Sequence, residues 1–207
     1  MIIRVINNLD YINTILNIHK EAFPDFFLTR LGDSFLKIYY SSVIKNEKSL
    51  FIGLFNKNEL VGFCCTATIS KNFNKLIIRD NLLPFMFLGL LLLVTKPRYL
   101  YGLFRNMTKK SPSVHDRSEY AELLSIAVKN NYQGCGLGKK MVQYTENELV
   151  KLNQLQISLT TDLYNNEKTI IFYQKLGYKI LYELTAWPNR KMYRMLKELN
   201  PSKSSAS

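Results

Sequence analysis

The 207-residue chain predicts an α/β domain, and three observations lead there. An aliphatic run, Ala121-Glu122-Leu123-Leu124-Ser125-Ile126-Ala127-Val128, has the length and branching of a buried strand. A glycine-rich stretch follows, Gln133-Gly134-Cys135-Gly136-Leu137-Gly138. Beyond it Met141, Val142, Thr145, Leu149 and Leu152 recur at three- and four-residue steps with charged residues between them, which is the pattern of an amphipathic helix. Strand, glycine loop and helix in that order turn backbone N–H groups toward one point at the positive end of a helix, where a phosphate is stabilised without any side chain.

The remaining elements follow in order. Residues 2–6 read as a short strand and lack the long apolar core of a signal peptide. A helix over 9–22 ends before Pro24, and a second over 32–46 carries Phe35, Leu36, Tyr39, Tyr40 and Val43 on one face. Strands at 50–55 and 60–69 are joined by Asn56-Lys57-Asn58-Glu59, a hairpin turn by composition. After an insert at about 71–118 come a strand at 119–129, a helix at 136–152, a strand at 155–162, a helix at 166–176 and strands at 178–184 and 190–198. A Ser-rich tail, 201–207, is expected to be disordered. With 47% hydrophobic residues, 1–200 suffices for one sizeable domain.

Charge and cysteines narrow the classes. The formal charge is +12, but Lys and Arg are scattered rather than grouped, so no nucleic-acid partner is expected; most of these cations read as a solvated surface, with Lys129, Lys139 and Lys140 able to steer an anionic ligand to the loop. The three cysteines, Cys64, Cys65 and Cys135, contain no C-x-x-C pair, which predicts neither a metal site nor a disulfide framework and fits a cytoplasmic compartment.

Spacing separates the nucleotide loops. A Walker loop needs four residues between its glycines and then Lys-Ser or Lys-Thr; here three residues separate Gly134 from Gly138, and Lys139-Lys140 follow. The dinucleotide fingerprint fits Gly134 and Gly136 but puts its third glycine on Lys139, with Asp162 about where a ribose-binding acid would stand. Gln133-x-x-Gly136-x-Gly138, after a strand ending in Ala127-Val128, resembles the acetyl-CoA pyrophosphate loop of the GNAT superfamily of N-acyltransferases. A second segment, Asn166-Glu167-Lys168-Thr169-Ile170-Ile171-Phe172-Tyr173-Gln174-Lys175-Leu176-Gly177-Tyr178, is similar to that superfamily's later motif, in which an Asn opens a helix and Phe-Tyr precedes Lys-Leu-Gly. Asn166 suits an N-cap and Gly177 a helix end; Thr169 departs from the usual Ala.

The resemblance covers about 119–184. It implies a mixed, mainly antiparallel sheet with helices on both faces, to which the composition of 71–118 adds an apolar helical insert before the fourth strand. It also implies acetyl-CoA as co-substrate, no metal, and direct attack of an amine on the thioester within a ternary complex. Cofactor contacts are expected from Ile126, Ala127, Val128, Gln133, Gly134, Cys135, Gly136, Leu137, Gly138, Lys139 and Asn166, with the strand's N–H groups holding the oxyanion. Glu122, with apolar neighbours in sequence, is the candidate general base and Glu119 its reserve; either acid also fits a solvated strand start. Tyr173 is the candidate donor to the departing thiolate, and it also fits a core position on an amphipathic helix. Cys135 could carry an acyl group, but the phosphate loop lies a pantetheine length from the thioester. His19 and His115 have no partner pattern and read as surface or packing residues.

Within the insert, Leu82 to Val94 is almost wholly apolar yet too short to cross a bilayer as one helix. Lys96, Arg98, Arg105, Lys109 and Lys110 follow, interleaved with Tyr99, Tyr101 and Phe104. The expectation is a pair of helices packed as a lid over the sheet; an interfacial segment on an anionic membrane is the rival. The acceptor is expected to be a small amine, an amino sugar among the choices, and a homodimer stays open. An NAD-type dehydrogenase and a non-catalytic acyl-CoA-binding or membrane-peripheral module are the alternatives.

Overall fold

The computed structural model describes residues 1–107 and 116–200; Lys109, Lys110, His115 and the Ser-rich tail lie outside the described residues. Seven strands form one sheet in the order β1-β2-β3-β4-β5-β7-β6. They are β1 (Ile2–Val5), β2 (Ser49–Asn56), β3 (Glu59–Ala67), β4 (Ala121–Val128), β5 (Gln156–Asp162), β6 (Lys179–Ala186) and β7 (Arg190–Glu198). All neighbouring pairs are antiparallel except β4 with β5. That single parallel pair rules out the doubly wound parallel sheet that a dinucleotide-binding dehydrogenase needs, so the Gly134-Gly136 fingerprint and Asp162 do not carry that function.

Helices cover both faces. On one side lie α1 (Ile12–Ala22), α2 (Phe27–Leu31), α3 (Asp33–Lys45) and α4 (Phe73–Asp80), with Ile15, Leu36, Tyr40 and Ile77 packed on Phe51, Phe55 and Phe63. On the other lie α7 (Leu137–Lys151) and α8 (Glu167–Lys175), whose Met141, Val142, Leu149 and Tyr173 meet Ile52, Cys64, Leu123 and Met195. Because β2 and β3 are covered on both faces, they read as continuous apolar runs rather than alternating ones. The five-residue α2, wedged between Pro24 and Gly32, is too short to leave a periodic signal.

The expected helix pair is α5 (Leu82–Thr95) and α6 (Pro97–Met107), with α4 preceding it in the insert; the packing departs from expectation. A stripe of α5, Leu88 and Leu92, is buried against Leu31 and Phe35. Its other sides are open: Leu83, Phe87, Leu90 and Val94 are 78, 72, 65 and 83% exposed. A packed lid therefore describes one stripe of this helix only. Among the described residues no single helix is long and apolar enough to cross a membrane, although α4 and α5, bent 97° at their junction, pass that test as a pair.

Candidate functional site

The site begins where the sheet parts. Parallel pairing of β4 with β5 spans only Ala121, Glu122 and Leu123 against Ile157, Ser158 and Leu159. A register shift opposite Cys65 and Thr66 bends β4 at that level, and beyond it β4 continues along β3 while β5 diverges. Lys129 donates its backbone N–H to Val61 at 2.9 Å, so by the alternation of an antiparallel strand Val128 and Ile126 turn their N–H and C=O groups to the opposite, open edge. Ala127 points its backbone into the β3 pairing instead, and its side chain is buried. Of the three strand residues expected at the cofactor, two offer backbone groups to the splay.

The glycine loop closes one end of the splay. Gly134 and Gly136 have φ of 77° and 73°, which L-residues rarely adopt, and Gly136 is the N-cap of α7. A Cβ on Gly134 or Gly136 would meet nothing within 4 Å, and one on Gly138 only Phe172 Cζ at 3.8 Å. The glycines therefore leave open space in front of the first turn of α7, where the N–H groups have no helical acceptors. Gln133 folds back, donating Nε2 to Val128 O at 2.9 Å and Asn130 Oδ1 at 3.0 Å, and so ties the loop to the strand end. Leu137 turns its side chain into the core, whereas Cys135, Lys139 and Lys140 are exposed. Lys129 is engaged by Glu59 at 2.5 Å, which takes it out of the basic face expected around the loop.

Across the splay, Asn166 precedes α8 as expected but does not cap it with its side chain. Its Nδ2 donates instead to Thr161 Oγ1 at 2.6 Å and Asp162 O at 3.0 Å, pinning α8 to the end of β5. Tyr173 is buried, edge-on to Phe172 and Tyr178 with ring centres 5.0 and 5.5 Å away. Burial first, and the nearby Cys64 second, raise its pKa well above the ordinary phenol value.

Glu122 corrects the expectation of an apolar setting. Leu123 and Ala121 point to the other face of the sheet, as successive strand residues must, and leave the carboxylate among polar groups. Its Oε2 accepts from Ser70, and its Oε1 from Arg194 at 2.5 Å, the same guanidinium reaching Ser158 Oγ at 3.2 Å. Glu119 is exposed and paired with Lys71 at 3.4 Å. His19 is wholly buried, its Nδ1 2.7 Å from the Tyr40 hydroxyl, which lies 3.1 Å from Ser125 Oγ on β4.

A second feature escaped the sequence. A cleft of about 590 Å³ is walled by residues from four separate places in the chain. Phe23, Asp25, Phe26, Phe27 and Arg30 come from the α1–α2 region, Arg98 and Tyr99 from α6, Asp162 from the end of β5, and Trp187 and Arg190 from the β6–β7 turn and the start of β7. Phe27, Tyr99 and Trp187 form a triangle of rings 5.9–6.3 Å apart. Arg190 holds Asp162 through both carboxylate oxygens and lies 4.8 Å from the Phe26 ring, while Arg30 pairs with Asp25 at 3.2 Å. A Cβ on Gly102 would stand 2.4 Å from Trp187 Cε3, so α6 reaches this wall only because that residue is glycine.

The sequence profile described as the acetyltransferase (GNAT) family matches residues 12–178. Among solved structures, an aminoglycoside 6'-acetyltransferase type Ii superposes with a TM-score of 0.62 at 20% identity, covering 97% of this chain and 99% of that one. The ribosomal-protein-S18-alanine N-acetyltransferase from Escherichia coli superposes with a TM-score of 0.61 at 16% identity, covering 100% and 98%. An aminoglycoside 6'-N-acetyltransferase complexed with coenzyme A gives 0.59 at 19%, covering 97% and 98%. No curated protein sequence matches the chain significantly.

Proposed function

The chain belongs to the GNAT family of acyl-CoA-dependent N-acyltransferases, and from that premise we propose that it acetylates a primary amine of a small molecule with acetyl-CoA in a ternary complex. The observation that carries this is the coincidence of the β4–β5 splay with the glycine loop at the start of α7. The CoA pyrophosphate lies on the N–H groups of 134–139, and the pantetheine amides pair with the open edge at Ile126 and Val128, as an added strand would. In the reaction the amine nitrogen attacks the thioester carbon and the C–S bond breaks. The amine's proton passes to a carboxylate, and the sulfur receives one from Tyr173, whose phenol is protonated at neutral pH. Glu122 is the proposed base, held in place by Ser70 and Arg194. A second reading gives that role to Asp162, because Asp162 lines the cleft where the acceptor would sit.

The aromatic triangle suits the face of a ring, which favours an amino sugar or another cyclic amine over a peptide. The chain as one domain over 1–200 is part of the same proposal. The test is release of free thiol from acetyl-CoA across a panel of amino sugars, small amines and peptide N-termini. The proposal stands if a ring-bearing amine is the best acceptor; it falls if only peptides are acetylated, or if CoA binds and no amine is turned over. In the same assay Glu122→Gln and Asp162→Asn separate the two bases, since only loss of the true base removes the acidic limb of the pH–rate profile.

A further inference from the structure

We propose that the α4–α6 insert docks this protein on the surface of an anionic membrane, with α5 lying in the interface. The insert carries two complementary features side by side. The first is apolar: α5 has no charged residue in fourteen, and Leu82, Leu83, Met86, Phe87, Leu90, Leu91, Leu93 and Val94 are each 45–83% exposed. Those side chains sum to on the order of 900 Å², against roughly 300–600 Å² for the largest apolar patch of an ordinary monomer. Tyr101 and Phe104, at successive turns of α6, extend it with 56 and 62% exposure.

The second feature is cationic. Immediately before α5, a recess of about 220 Å³ is lined by Lys48, Lys71, Lys75 and Arg79. Lys71 pairs with Glu119 at 3.4 Å and Arg79 with Asp80 at 3.0 Å, while among the described residues Lys48 and Lys75 form no ion pair, which leaves the recess cationic. Lys96 donates to Arg30 O at 2.7 Å and Arg98 walls the aromatic cleft, so the recess alone supplies the cations. Cations at the start of an uncharged, outward-facing helix match a surface that is apolar within and negatively charged at its head groups.

Length decides between spanning and lying flat. Fourteen residues make a helix about 21 Å long, short of the ~30 Å hydrocarbon core. The Leu88–Leu92 stripe is also held by α3, which fixes α5 to the body of the protein. The insert therefore lies on the bilayer, its outer residues among the acyl chains and its cations at the head groups.

The experiment is flotation of the full chain with vesicles of phosphatidylcholine containing 30% phosphatidylglycerol, against phosphatidylcholine alone. Wild type is expected to float with the anionic vesicles and to bind at least tenfold more weakly as salt rises from 50 to 500 mM. Leu83→Glu, Phe87→Glu and Leu90→Glu change exposed positions, so folding and CoA affinity should be kept while vesicle binding falls at least tenfold. Lys75→Glu with Arg79→Glu should abolish the preference for phosphatidylglycerol. The proposal is overturned if wild type stays in the soluble fraction at 50 mM salt. It is equally overturned if sedimentation velocity shows a dimer that Leu90→Glu dissociates while vesicle binding is unaffected, because the patch then belongs to a second copy. Intact vesicle binding in a chain that combines Leu83→Glu, Phe87→Glu and Leu90→Glu would also sink it.

Discussion

The glycine loop and the aromatic cleft sit on the same splayed sheet and are built in opposite ways. The loop comes from consecutive residues whose side chains are absent, turned inward or turned away: Gly134, Gly136 and Gly138 leave open space, and Leu137 faces the core. The cleft comes from side chains brought together from the α1–α2 region, α6, β5 and the β6–β7 turn. A backbone site recognises what every CoA thioester shares, whereas a side-chain site can change with each substitution in four unlinked segments. On the proposed function, generality at one end and specificity at the other are separated in space.

Four measurements sharpen or break that division, in falling order of effect. Tyr173 belongs to neither binding end, so Tyr173→Phe should lower kcat by roughly 10²–10⁴-fold. Acetyl-CoA affinity by calorimetry and acceptor KM should both stay near wild type; a fall in affinity at constant single-turnover rate would return Tyr173 to the core. The next concerns pH and the cleft side alone. His19 packs on Phe23 and Phe26 of the cleft, and burial pushes its pKa from 6.5 down to about 4. The folded state therefore keeps this ring neutral where the unfolded chain protonates it. Stability should be complete above pH 6.5 and decline as pH falls toward about 4, by about 3 kcal/mol at roughly 1.4 kcal/mol for each tenfold. Below that both states bind the proton and the loss levels off. Denaturant titration of wild type and His19→Gln across this window checks it; identical pH profiles would show that His19 does not contribute.

Trp187→Ala opens the ring triangle and should raise acceptor KM by about 10- to 100-fold, as removal of an aromatic anchor does at other interfaces. CoA affinity should not change; if it does, the cleft and the loop are coupled and the division fails. Gly138→Ala should give the smallest effect and one with opposite signs. Its φ is not positive and its Cβ position is nearly empty, so the added methyl should leave Tm unchanged or raise it while weakening CoA about tenfold by blocking close backbone approach. Gly136 is a poorer choice than its place in the motif suggests, since its φ of 73° strains any other residue whether or not CoA is bound.

How much of this was legible follows the same line. The loop and α8 are contiguous, so glycine spacing and the Asn166–Tyr178 pattern displayed them directly, and the order of strands and helices came with them. The cleft residues are spread from Phe23 to Arg190, and nothing local marks them as neighbours. Glu122 looked apolar because Ala121 and Leu123 adjoin it in sequence, yet a strand sends those two to the opposite face and gives it Ser70 and Arg194, 52 and 72 residues away. Lys129 was assigned to the loop and is held by Glu59, again a long-range partner. In α5, fourteen uncharged residues carry no periodic asymmetry, so no pattern could show that the side bearing Phe85, Leu88 and Leu92 would be the covered one.

The brief pairing of β4 with β5 also bears on how the purified protein behaves on the shelf. A continuous open sheet has two edges, but a sheet that parts after three residue pairs exposes two more in its interior. Unpaired strand edges recruit other strands, and these lie beside apolar side chains such as Ile126 and Val128. Without its thioester ligand the molecule carries that liability open. Adding CoA during concentration and storage should cap the interior edges and slow self-association, an effect that light scattering would register without any catalytic assay.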